Sequence, residues 1–460
     1  MASLKKHLVS NSKKSLQHQL NVLLVDVFLA QKLVNPKLVV GFSGGLDSTV
    51  LLHLLSETKN MLPLQLHAHH VHHGLSKNAD LWAGLCADFC KKLNIPFILS
   101  TVNINKNSGL GVEATAREAR YNALLATDAD FVCLAHHQDD QAETLLLQLV
   151  RGAGVKGLAG MPKYQGRLLR PLLDVPRGTL ETYAKQHNLA WTEDESNFDT
   201  KFDRNFLRHE VLPALAKQYP AIKRTISRAA QNMAEADILL GELAEMDVKS
   251  CQLNQMDSKQ IALRALADLS TSRVKNALRW WLQQHACDIP SAAQLQQIMQ
   301  QLFHANADAN VKIKVSAGLI LRRYQDNAYL VENLQEAEDV FQHGAFSLTW
   351  QGEKSIVLPD QSHLFFSEKM GAGLAMRNLE NMQLTIRYRQ GGEMLRPEEN
   401  RPNRSLKNLF QTSNIPPWQR ERLPLLFLND VLAVLPNSVT DVQFKAKPDE
   451  LGLFVTWQNS

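Results

Sequence analysis

The sequence predicts an α/β fold: a Rossmann-like N-terminal domain with a parallel sheet, then a helical middle domain and a small α+β C-terminal domain. Three observations predict it. The first half alternates short β-rich apolar runs with helical patterns, the stretch from about 205 to 305 is consecutively helical, and the last third returns to short strands and turns. Alternating strands and helices indicate a parallel sheet with right-handed crossovers, and a change of pattern marks a domain boundary.

Four strands and four helices are predicted in the N-terminal half. The strands are the apolar runs at 37–43, 64–73, 96–104 and 129–137, and the helices are the segments 47–58, 79–94, 112–127 and 139–151. Ligands of open α/β sheets bind beyond the carboxyl ends of the strands. Because the strings SGGLDS, HHVHHG and AHHQDDQAET each fall at the carboxyl end of a predicted strand, we expect them to form one shared site.

The pattern changes divide the chain into three predicted domains, 1–217, 218–335 and 336–460. The middle segment is rich in Ala, Leu and Gln and ends in the strand-like run 311–332. The last segment reads as short strands, such as FSLTW and MQLTIRYR, separated by turns. A length of 460 residues suits roughly two to four domains.

Composition excludes several classes of protein. With 45% hydrophobic and 21% charged residues, and no run of about 20 apolar residues, the chain is not typical of a membrane protein. The N-terminus lacks the long apolar core of a secretory signal, so we expect a cytoplasmic protein. The five cysteines include no CxxC pair, which favours reduced thiols over disulfides, iron–sulfur chemistry or thiolation.

The string SGGLDS lies between a strand and a helix and is the first candidate site. Paired glycines let backbone N–H groups approach an anion, and a helix N-terminus adds positive potential, so the loop suits a phosphate group. The loop itself matches neither GxxxxGK[ST] nor GxGxxG. Asp47 would repel bare phosphate and is better explained as a ligand of Mg²⁺ that bridges phosphate oxygens. The candidate phosphate-binding residues are Ser43, Gly44, Gly45, Leu46, Asp47 and Ser48. An ordinary Gly-Gly turn is the alternative.

The string AHHQDDQAET places five titratable groups at a strand end and in the first turns of a helix. Its members are His136, His137, Asp139, Asp140 and Glu143. On a helix Asp139 and Glu143 share a face, with Asp140 nearly so. We expect one carboxylate to bind an ammonium group, another to assist Mg²⁺, and a histidine to stabilise charge or transfer a proton. Carboxylates that merely favour a helix N-terminus are the alternative.

Two further segments are candidates for substrate binding. EATAREARYNAL puts Arg117, Arg120 and Tyr121 at helical spacing, and EDESNFDTKFDRNFLRH combines acidic and basic groups before a helix. Solvated surfaces are the alternative for both. The second segment contributes the candidates Asp194, Asn197, Arg204, Asn205 and Arg208. A mixture of charges suits a zwitterionic amino acid together with phosphate.

The C-terminal third carries a basic segment. Residues 387–422 contain eight basic and four acidic residues, an excess of +4 that equals the net charge of the whole chain. We expect salt-sensitive RNA contacts here, helped by exposed Phe410 and Trp418. The candidate RNA-binding residues are Arg387, Arg389, Arg396, Arg404, Lys407 and Trp418. An ordinary basic surface is the alternative.

These motifs resemble those of a known family. SGGLDS after a hydrophobic strand resembles the PP-loop of the ATP-pyrophosphatases, whose fold is adenine nucleotide α-hydrolase-like. Within that family, other strings resemble tRNA(Ile)-lysidine synthetases across nearly the whole chain: HVHHGLS (70–76), EATAREARYNAL (113–124), LAHHQDDQAETLLLQLVRGAG (134–154), LLRPLL (168–173), EDESNFDTKFDRNFLRHEVLPAL (193–215) and LPLLFLND (423–430).

The resemblance implies an ATP- and Mg²⁺-dependent ligase that joins L-lysine to C2 of the wobble cytidine of the CAU-anticodon isoleucine tRNA. The modified tRNA then reads AUA instead of AUG. The cytosine C2 oxygen would attack the α-phosphate of ATP, and the ε-amine of lysine would then displace AMP. We take Asp47, His136 and Asp140 as the candidate catalytic residues. No protein partner is implied, and a homodimer is left open.

Two alternatives to the ligase stay open. Another PP-loop adenylating enzyme, such as a tRNA thiolase, would need a catalytic cysteine pair. A nucleotide-sensing or RNA-binding protein without catalysis would not need Asp47 or Asp140.

Overall fold

The structure is a computed structural model that describes residues 15–74, 77–103, 112–193, 199–252, 258–306, 309, 311–333, 346–399 and 401–458. The chain divides into two compact units, residues 1–242 and 243–460. The predicted division into three domains, with boundaries near 217 and 335, stays a prediction.

The N-terminal unit is built on a six-stranded sheet of order β3-β2-β1-β4-β6-β5. All neighbouring strands are parallel except β5 and β6, which are antiparallel. The strands are β1 (Lys37–Gly41), β2 (Gln65–His72), β3 (Phe97–Thr101), β4 (Phe131–Cys133), β5 (Tyr164–Gln165) and β6 (Leu168–Leu169). One helix, α1 (Leu16–Ala30), precedes β1. The helices between the strands are α2 (Leu46–Lys59), α3 (Ala79–Lys92), α4 (Val112–Leu125), α5 (Gln138–Val150) and α6 (Val155–Leu158).

These elements confirm the predicted α/β fold. Each of the four predicted strands and four predicted helices is present, mostly within two residues of the expected ends. The exception is the predicted strand 129–137, of which only Phe131–Cys133 is a strand. The chain leaves the sheet there, because His137 already serves as the N-cap of α5.

The core of this unit lies where helices cover the sheet. Leu38 and Val40 of β1 are fully buried, and Phe28 of α1 and Leu51 of α2 pack in the same cluster. Burying each such side chain contributes about 1.5–3 kcal/mol. A strand buried on both faces reads as a continuous apolar run, which is why KLVV was recognisable in the sequence.

A helical segment follows the sheet in the N-terminal unit. It contains α7 (Arg177–Gln186), α8 (Asp203–Phe206), a π-helical turn (Leu207–Val211), α9 (Leu212–Gln218) and α10 (Ile222–Cys251), and the division between the units falls inside α10. Pro213 occupies the start of α9. A proline there has no N–H to donate to His209, which accounts for the widened turn before it.

The C-terminal unit contains a four-stranded sheet of order β7-β10-β9-β8 with three helices. Its strands are β7 (Gln260–Ala262), β8 (Lys312–Lys314), β9 (Leu319–Tyr324) and β10 (Asn327–Glu332), and its helices are α11 (Leu263–Ala267), α12 (Thr271–Gln284) and α13 (Ala292–His304). Trp281 of α12 is fully buried in their common core.

The last third of the chain forms a second core between two antiparallel sheets of order β11-β15-β18-β19-β20 and β12-β13-β21-β14, with a separate β16-β17 pair. The strands are β11 (Ser347–Thr349), β12 (Ser355–Val357), β13 (His363–Met370), β14 (Leu374–Ala375), β15 (Leu384–Arg387), β16 (Met394–Leu395), β17 (Arg404–Ser405), β18 (Leu425–Leu428), β19 (Val431–Leu435), β20 (Val439–Thr440) and β21 (Leu451–Gln458). The helices are α14 (Met376–Leu379), α15 (Leu406–Thr412) and α16 (Pro417–Arg420).

Among the described residues, no helix combines the length and the apolar character that a membrane crossing requires.

Candidate active site

The candidate site lies where the strand order of the N-terminal sheet reverses. β1 has β2 on one side and β4 on the other, so the crossovers that leave β1 and β4 diverge to opposite faces. Open α/β sheets bind ligands in the crevice that such a divergence leaves at the carboxyl ends of the strands. The loop after β1 is SGGLDS, and the loop after β4 leads into HHQDDQAE. The structure thus brings together two of the three strings that were expected to share a site.

The first loop has a backbone that requires glycine at position 44. Gly44 has a φ of +84°, and a Cβ there would lie 2.8 Å from Cys86 Sγ and 3.2 Å from Thr192 Oγ1. The Thr192 N–H donates a hydrogen bond to the Gly44 carbonyl at 2.9 Å. The loop is therefore held from outside by residues 86 and 192, neither of which the sequence analysis had placed at the site.

The hydroxyl groups of the loop are close to one another. Ser43 Oγ lies 3.1 Å from Ser48 Oγ, and Ser48 Oγ donates to the Gly45 carbonyl at 3.0 Å. Gly45 is the N-cap of α2, and in the described part of the chain no side chain caps that end. Backbone N–H groups in the first turn of α2, from Leu46 onward, are thus available to an anion.

Asp47 lies in this first turn of α2. Its Oδ1 is buried, and no hydrogen-bond partner for it is present among the described residues. Its Oδ2 lies 3.5 Å from His137 Nε2. A buried carboxylate oxygen without a partner is costly, and a bound cation or hydrogen-bond donor would remove that cost.

His137 joins the two loops. Its Nδ1 accepts a hydrogen bond from the Asp140 N–H at 3.4 Å, and its own N–H donates to Asp140 Oδ2 at 2.9 Å, which forms a capping box at the start of α5. The ring proton of neutral His137 is therefore on Nε2, which faces Asp47 and Asp140. Burial lowers the pKa of His137, but the negative charges of Asp140 and Asp47 outweigh it and the net shift is upward.

Asp140 and Glu143 are buried and paired with two arginines. Arg204 donates to Glu143 Oε2 at 2.7 Å and to Asp140 Oδ1 at 2.8 Å. Arg208 donates to Glu143 Oε1 at 2.7 Å and to Asp140 Oδ1 at 3.3 Å. Both oxygens of Glu143, a residue only 1% exposed, are thus occupied by guanidinium groups. We call these four residues the ion-pair cluster.

The charges of the ion-pair cluster act on the neighbouring pKa values. Burial tends to raise the pKa of Asp140, but His137 and Arg204 hold it at about 2. Burial lowers the pKa of His136 to about 3, against the opposing effect of Asp140. His136 is consequently neutral at pH 7, and its Nδ1 is buried with no hydrogen-bond partner among the described residues.

Asp139 faces away from the ion-pair cluster. Its carboxylate pairs with Lys223 near the start of α10 and accepts a hydrogen bond from the Arg177 N–H at 3.3 Å. Lys223 is a site residue that the sequence analysis missed. It lies 84 positions from Asp139, and no local pattern signals a pairing over that separation.

The predicted cations of α4 lie near the same site. Arg117 donates to the Tyr121 hydroxyl at 3.2 Å, and its guanidinium lies 5.1 Å from the centroid of that ring. Arg120 is half-buried, and burial together with the charges of Arg117 and Arg204 lowers its pKa. Two guanidinium groups this close to each other favour an anionic ligand between them.

The remaining predicted residues of this region are only partly described. Asn205 is buried and donates to the Asp199 carbonyl at 2.9 Å, which holds the segment in front of α8. Asp194 and Asn197 lie outside the described residues.

The C-terminal residues predicted to bind tRNA occupy varied environments. Arg387 pairs with Asp430 and lies over the ring of Phe427 at 4.6 Å. Arg389 is exposed, with its guanidinium 5.9 Å from the centroid of Phe410. The Arg396 N–H donates to Asp441 at 2.7 Å, Arg404 lies in β17, and Lys407 is exposed at the start of α15.

One prediction in this segment is wrong. Phe410 was expected to be exposed, but it is fully buried in the core between the C-terminal sheets. It belongs to the apolar face of α15, which also buries Leu406 and Leu409, so its hydrophobicity serves packing. Trp418 is half-buried, with its ring centroid 5.4 Å from that of Tyr329 and 6.2 Å from that of Tyr324.

The fold and site define a class: a PP-loop protein with its glycine-pair loop at the junction of β1 and β4. The family described as PP-loop domain matches residues 12–215, the TilS substrate binding domain matches residues 262–329, and the TilS substrate C-terminal domain matches residues 384–457. The chain belongs to the tRNA(Ile)-lysidine synthase family. This confirms the resemblance drawn from the motifs.

Relatives align along almost the whole chain. The tRNA(Ile)-lysidine synthase of Nitrosomonas europaea is 39% identical, and the match covers 94% of this chain and 94% of that protein. The tRNA(Ile)-lysidine synthase of Coxiella burnetii is 38% identical, with 92% and 94% covered. Among solved structures, the U34-tRNA thiolase NcsA from Methanococcus maripaludis is 20% identical with a TM-score of 0.40, covering 48% of this chain and 78% of that one.

Proposed function

We propose that the protein ligates L-lysine to C2 of the wobble cytidine of a CAU-anticodon isoleucine tRNA, with ATP converted to AMP and pyrophosphate. One observation supports this proposal most directly. In this member of the family, the SGGLDS loop and the buried ion-pair cluster lie next to each other at the junction of β1 and β4. The first element suits a nucleotide and the second suits an amino acid.

In the adenylation step, the SGGLDS loop would hold the phosphates that leave. The open first turn of α2 and the hydroxyls of Ser43 and Ser48 supply donors for the β- and γ-phosphate oxygens. The cytosine C2 oxygen attacks the α-phosphorus, the bond to the β-phosphate oxygen breaks, and pyrophosphate leaves. Donors fixed in advance stabilise the charge that develops on the departing group.

The chemistry of Asp47 fits Mg²⁺ as a partner of ATP. Its Oδ1 is the partnerless buried oxygen of the loop, and Mg²⁺ in nucleotide enzymes takes one or two carboxylates together with phosphate oxygens. No group of three or more His, Cys, Asp or Glu in the described ranges is arranged to hold a metal. This agrees with an ion that arrives with the nucleotide. When bound, Mg²⁺ would neutralise charge on the phosphates.

The ion-pair cluster is our candidate for the amino-acid site. A zwitterion can enter such a cluster by exchange: its α-ammonium takes the place of guanidinium N–H groups at Glu143 or Asp140, and its α-carboxylate binds Arg204 or Arg208. The number of opposite-charge contacts is then conserved. Asp139 is less suited to this role in the present arrangement, because Lys223 already holds it.

Lysine must lose a proton from its ε-ammonium before it attacks C2 and displaces AMP. His136 is our candidate for charge stabilisation or proton transfer, since it lies in the loop after β4 and is neutral at pH 7. With a pKa of about 3 it is a weak base. Negative phosphate charge nearby would raise that pKa and make proton uptake easier.

The rival proposal of a tRNA thiolase is not favoured by the cysteines. Cys86, Cys90 and Cys133 are buried, and burial raises the pKa of each thiol to about 12. A thiol in that state is not a nucleophile at neutral pH. Cys251 and Cys287 are also buried, with raised pKa values.

The direct test is to incubate the purified protein with radiolabelled lysine, ATP, Mg²⁺ and a CAU-anticodon isoleucine tRNA transcript, and to digest the RNA to nucleosides. We expect label in one modified cytidine and pyrophosphate release that needs both tRNA and lysine for full turnover. Pyrophosphate release without lysine incorporation would point to another adenylating enzyme, and neither product would point to a non-catalytic protein. The cytoplasmic location stays a prediction, and the oligomeric state stays open.

A further inference from the structure

An exposed apolar surface lies beside the candidate active site. Phe202 and Phe206 are 42% and 48% exposed, and Leu149 and Val150 at the end of α5 are 55% and 81% exposed. We call these four side chains the aromatic patch. Large apolar groups are seldom left in water together without a binding role.

The backbone places the two rings on one side of α8. The Phe206 N–H donates to the Phe202 carbonyl at 2.9 Å, so the residues are one helical turn apart and their side chains share a face. Arg204 and Arg208, each offset by two residues, occupy the opposite face and bind Glu143. The rings therefore stand outside the ion-pair cluster, about 10 Å away, which is the width of a helix.

An ion pair joins the two halves of the patch. Arg151, which follows Val150, lies 3.4 Å from Asp203, the first residue of α8. This contact brings the end of α5 alongside Phe202. The four contacts of Glu143 and Asp140 with the arginines fix the other side of α8, so the patch is presented on a rigid support.

The segment around α8 carries exposed charges of both signs, including the carboxylates of Asp199 and Glu210. The cation adjacent to the patch is Lys201, which precedes Phe202, is exposed and has no carboxylate partner for its side chain within the described residues, whereas Asp203 is already paired with Arg151. Exposed aromatic rings beside an unpaired cation suit single-stranded nucleic acid, because the rings stack on bases and the cation contacts a phosphate.

A second protein is a poorer match for this surface. A stable interface buries about 800 Å² per partner, far more than four side chains provide, and its centre is depleted of charge. An unpaired RNA loop needs only one or two stacking positions for bases that are splayed out.

We propose that the aromatic patch stacks unpaired bases of the RNA loop that flank the nucleotide entering the candidate active site. This proposal rests on the proposed function in one respect, namely that the substrate is RNA. A nucleotide that reaches the reaction centre must leave its own stack, and its neighbours lose stacking partners. Phe202 and Phe206 would replace those partners one helix width from the site.

The test compares side chains that keep or lose a flat ring. Phe206→Ser and Phe202→Ser should each weaken tRNA binding about tenfold in a filter-binding assay at fixed salt, which corresponds to the loss of one stacked base. The rate with saturating tRNA should change little. Phe206→Trp should bind at least as tightly as the wild type, whereas Phe206→Leu, which is apolar but not flat, should resemble Phe206→Ser. Tyr164→Ser is the matched control, since Tyr164 is 41% exposed in the same unit.

Each outcome decides the matter. Full tRNA affinity in Phe206→Leu, or in both serine variants, would overturn stacking. A wild-type protein that sediments as a dimer and a double serine variant that sediments as a monomer would make the patch a dimer contact and overturn the proposal. Failure of the wild type to modify tRNA would instead defeat the proposed function. If a serine variant proves unstable, the comparison of Phe206→Leu with Phe206→Trp still tests stacking.

Discussion

His137 Nε2 lies 3.5 Å from Asp47 Oδ2. The two residues belong to loops that follow different strands, and β1 and β4, which position them, are direct neighbours in the sheet. The contact therefore links the phosphate loop with the carboxylates of α5. A change at either residue should affect both ATP and amino-acid use.

Replacing Asp47 tests this link most directly. Asp47→Asn keeps the size of the side chain but removes its charge, and so removes the proposed Mg²⁺ ligand. We expect lysine incorporation into tRNA to fall at least about 100-fold, since electrostatic stabilisation of a departing group is commonly worth that much. Asp128→Asn, at a fully exposed carboxylate, is the control and should be silent. Full activity in Asp47→Asn would remove this residue from the proposed mechanism.

Gly44→Ala should damage the phosphate loop. Its φ of +84° strains any side chain by about 1–2 kcal/mol, and the new Cβ would lie 2.8 Å from Cys86 Sγ. We expect weaker ATP binding in calorimetry and a lower melting temperature. Gly84→Ala is the matched control, because position 84 is in a helix with nothing within 4 Å, and alanine should stabilise it slightly. Equal melting temperatures for the two variants would contradict this account of the loop.

Glu143→Gln should destabilise the protein by removing a negative charge from the ion-pair cluster. The amide cannot balance Arg204 and Arg208, and an unbalanced buried charge typically costs about 3–5 kcal/mol. We expect a marked loss of stability in urea unfolding and a rise in the KM for lysine. The double variant Glu143→Leu/Arg208→Leu separates the two effects: it should recover part of the stability but none of the lysine affinity. Unchanged KM in both variants would place lysine elsewhere.

Acid should destabilise the protein through Asp140. The pKa of this residue is about 2 in the folded state and 3.8 in its ordinary state, so the unfolded chain binds the proton more tightly. The contribution to stability, about 2 kcal/mol, is complete above pH 4 and is lost as pH falls from about 4 to about 2. Unfolding free energies measured over that range should decline less steeply in Asp140→Asn. Parallel curves for the variant and the wild type would contradict the depressed pKa.

Nucleotide binding should raise the pKa of His136. In the free protein a pKa of about 3 means that its ring does not titrate between pH 5 and 9. With ATP bound, phosphate charge close to the ring should move the titration upward, which NMR of the labelled ring can follow. His136→Asn should lose activity with little change in ATP affinity. If ATP leaves the NMR titration of the His136 ring unchanged, His136 does not lie near the nucleotide phosphates.

Much of the fold was predictable because its signals are local. A buried parallel strand such as β1 is apolar throughout, and Gly44 marks a turn that other residues avoid. The candidate residues after β1 and β4 followed from one rule, that ligands bind where parallel strands end. The rule needs only the positions of β1 and β4 in the chain, so it could be applied to Asp47 and His137 without knowledge of long-range contacts.

The remaining features depend on long-range contacts. Lys223 reaches Asp139 only because α10 packs near α5, and Thr192 holds Gly44 through a backbone N–H that any residue but proline offers. Phe410 was mispredicted for a local reason. Its position in a basic segment suggested an exposed RNA contact, but Phe410 lies on the apolar face of a helix with Leu406 and Leu409 and is part of a core.

The mutual neutralisation of Glu143 and Asp140 by Arg204 and Arg208 also bears on which amines the protein would reject. A diamine of similar length to lysine has no carboxylate to offer the guanidinium groups that it would displace. Binding of such a diamine would leave the guanidinium groups of Arg204 and Arg208 close together in a poorly hydrated site without a negative partner. At the lysine site that we propose, cellular polyamines would thus be excluded by charge balance rather than by shape, and a lysine-like inhibitor would have to keep both its α-amino and its α-carboxyl group.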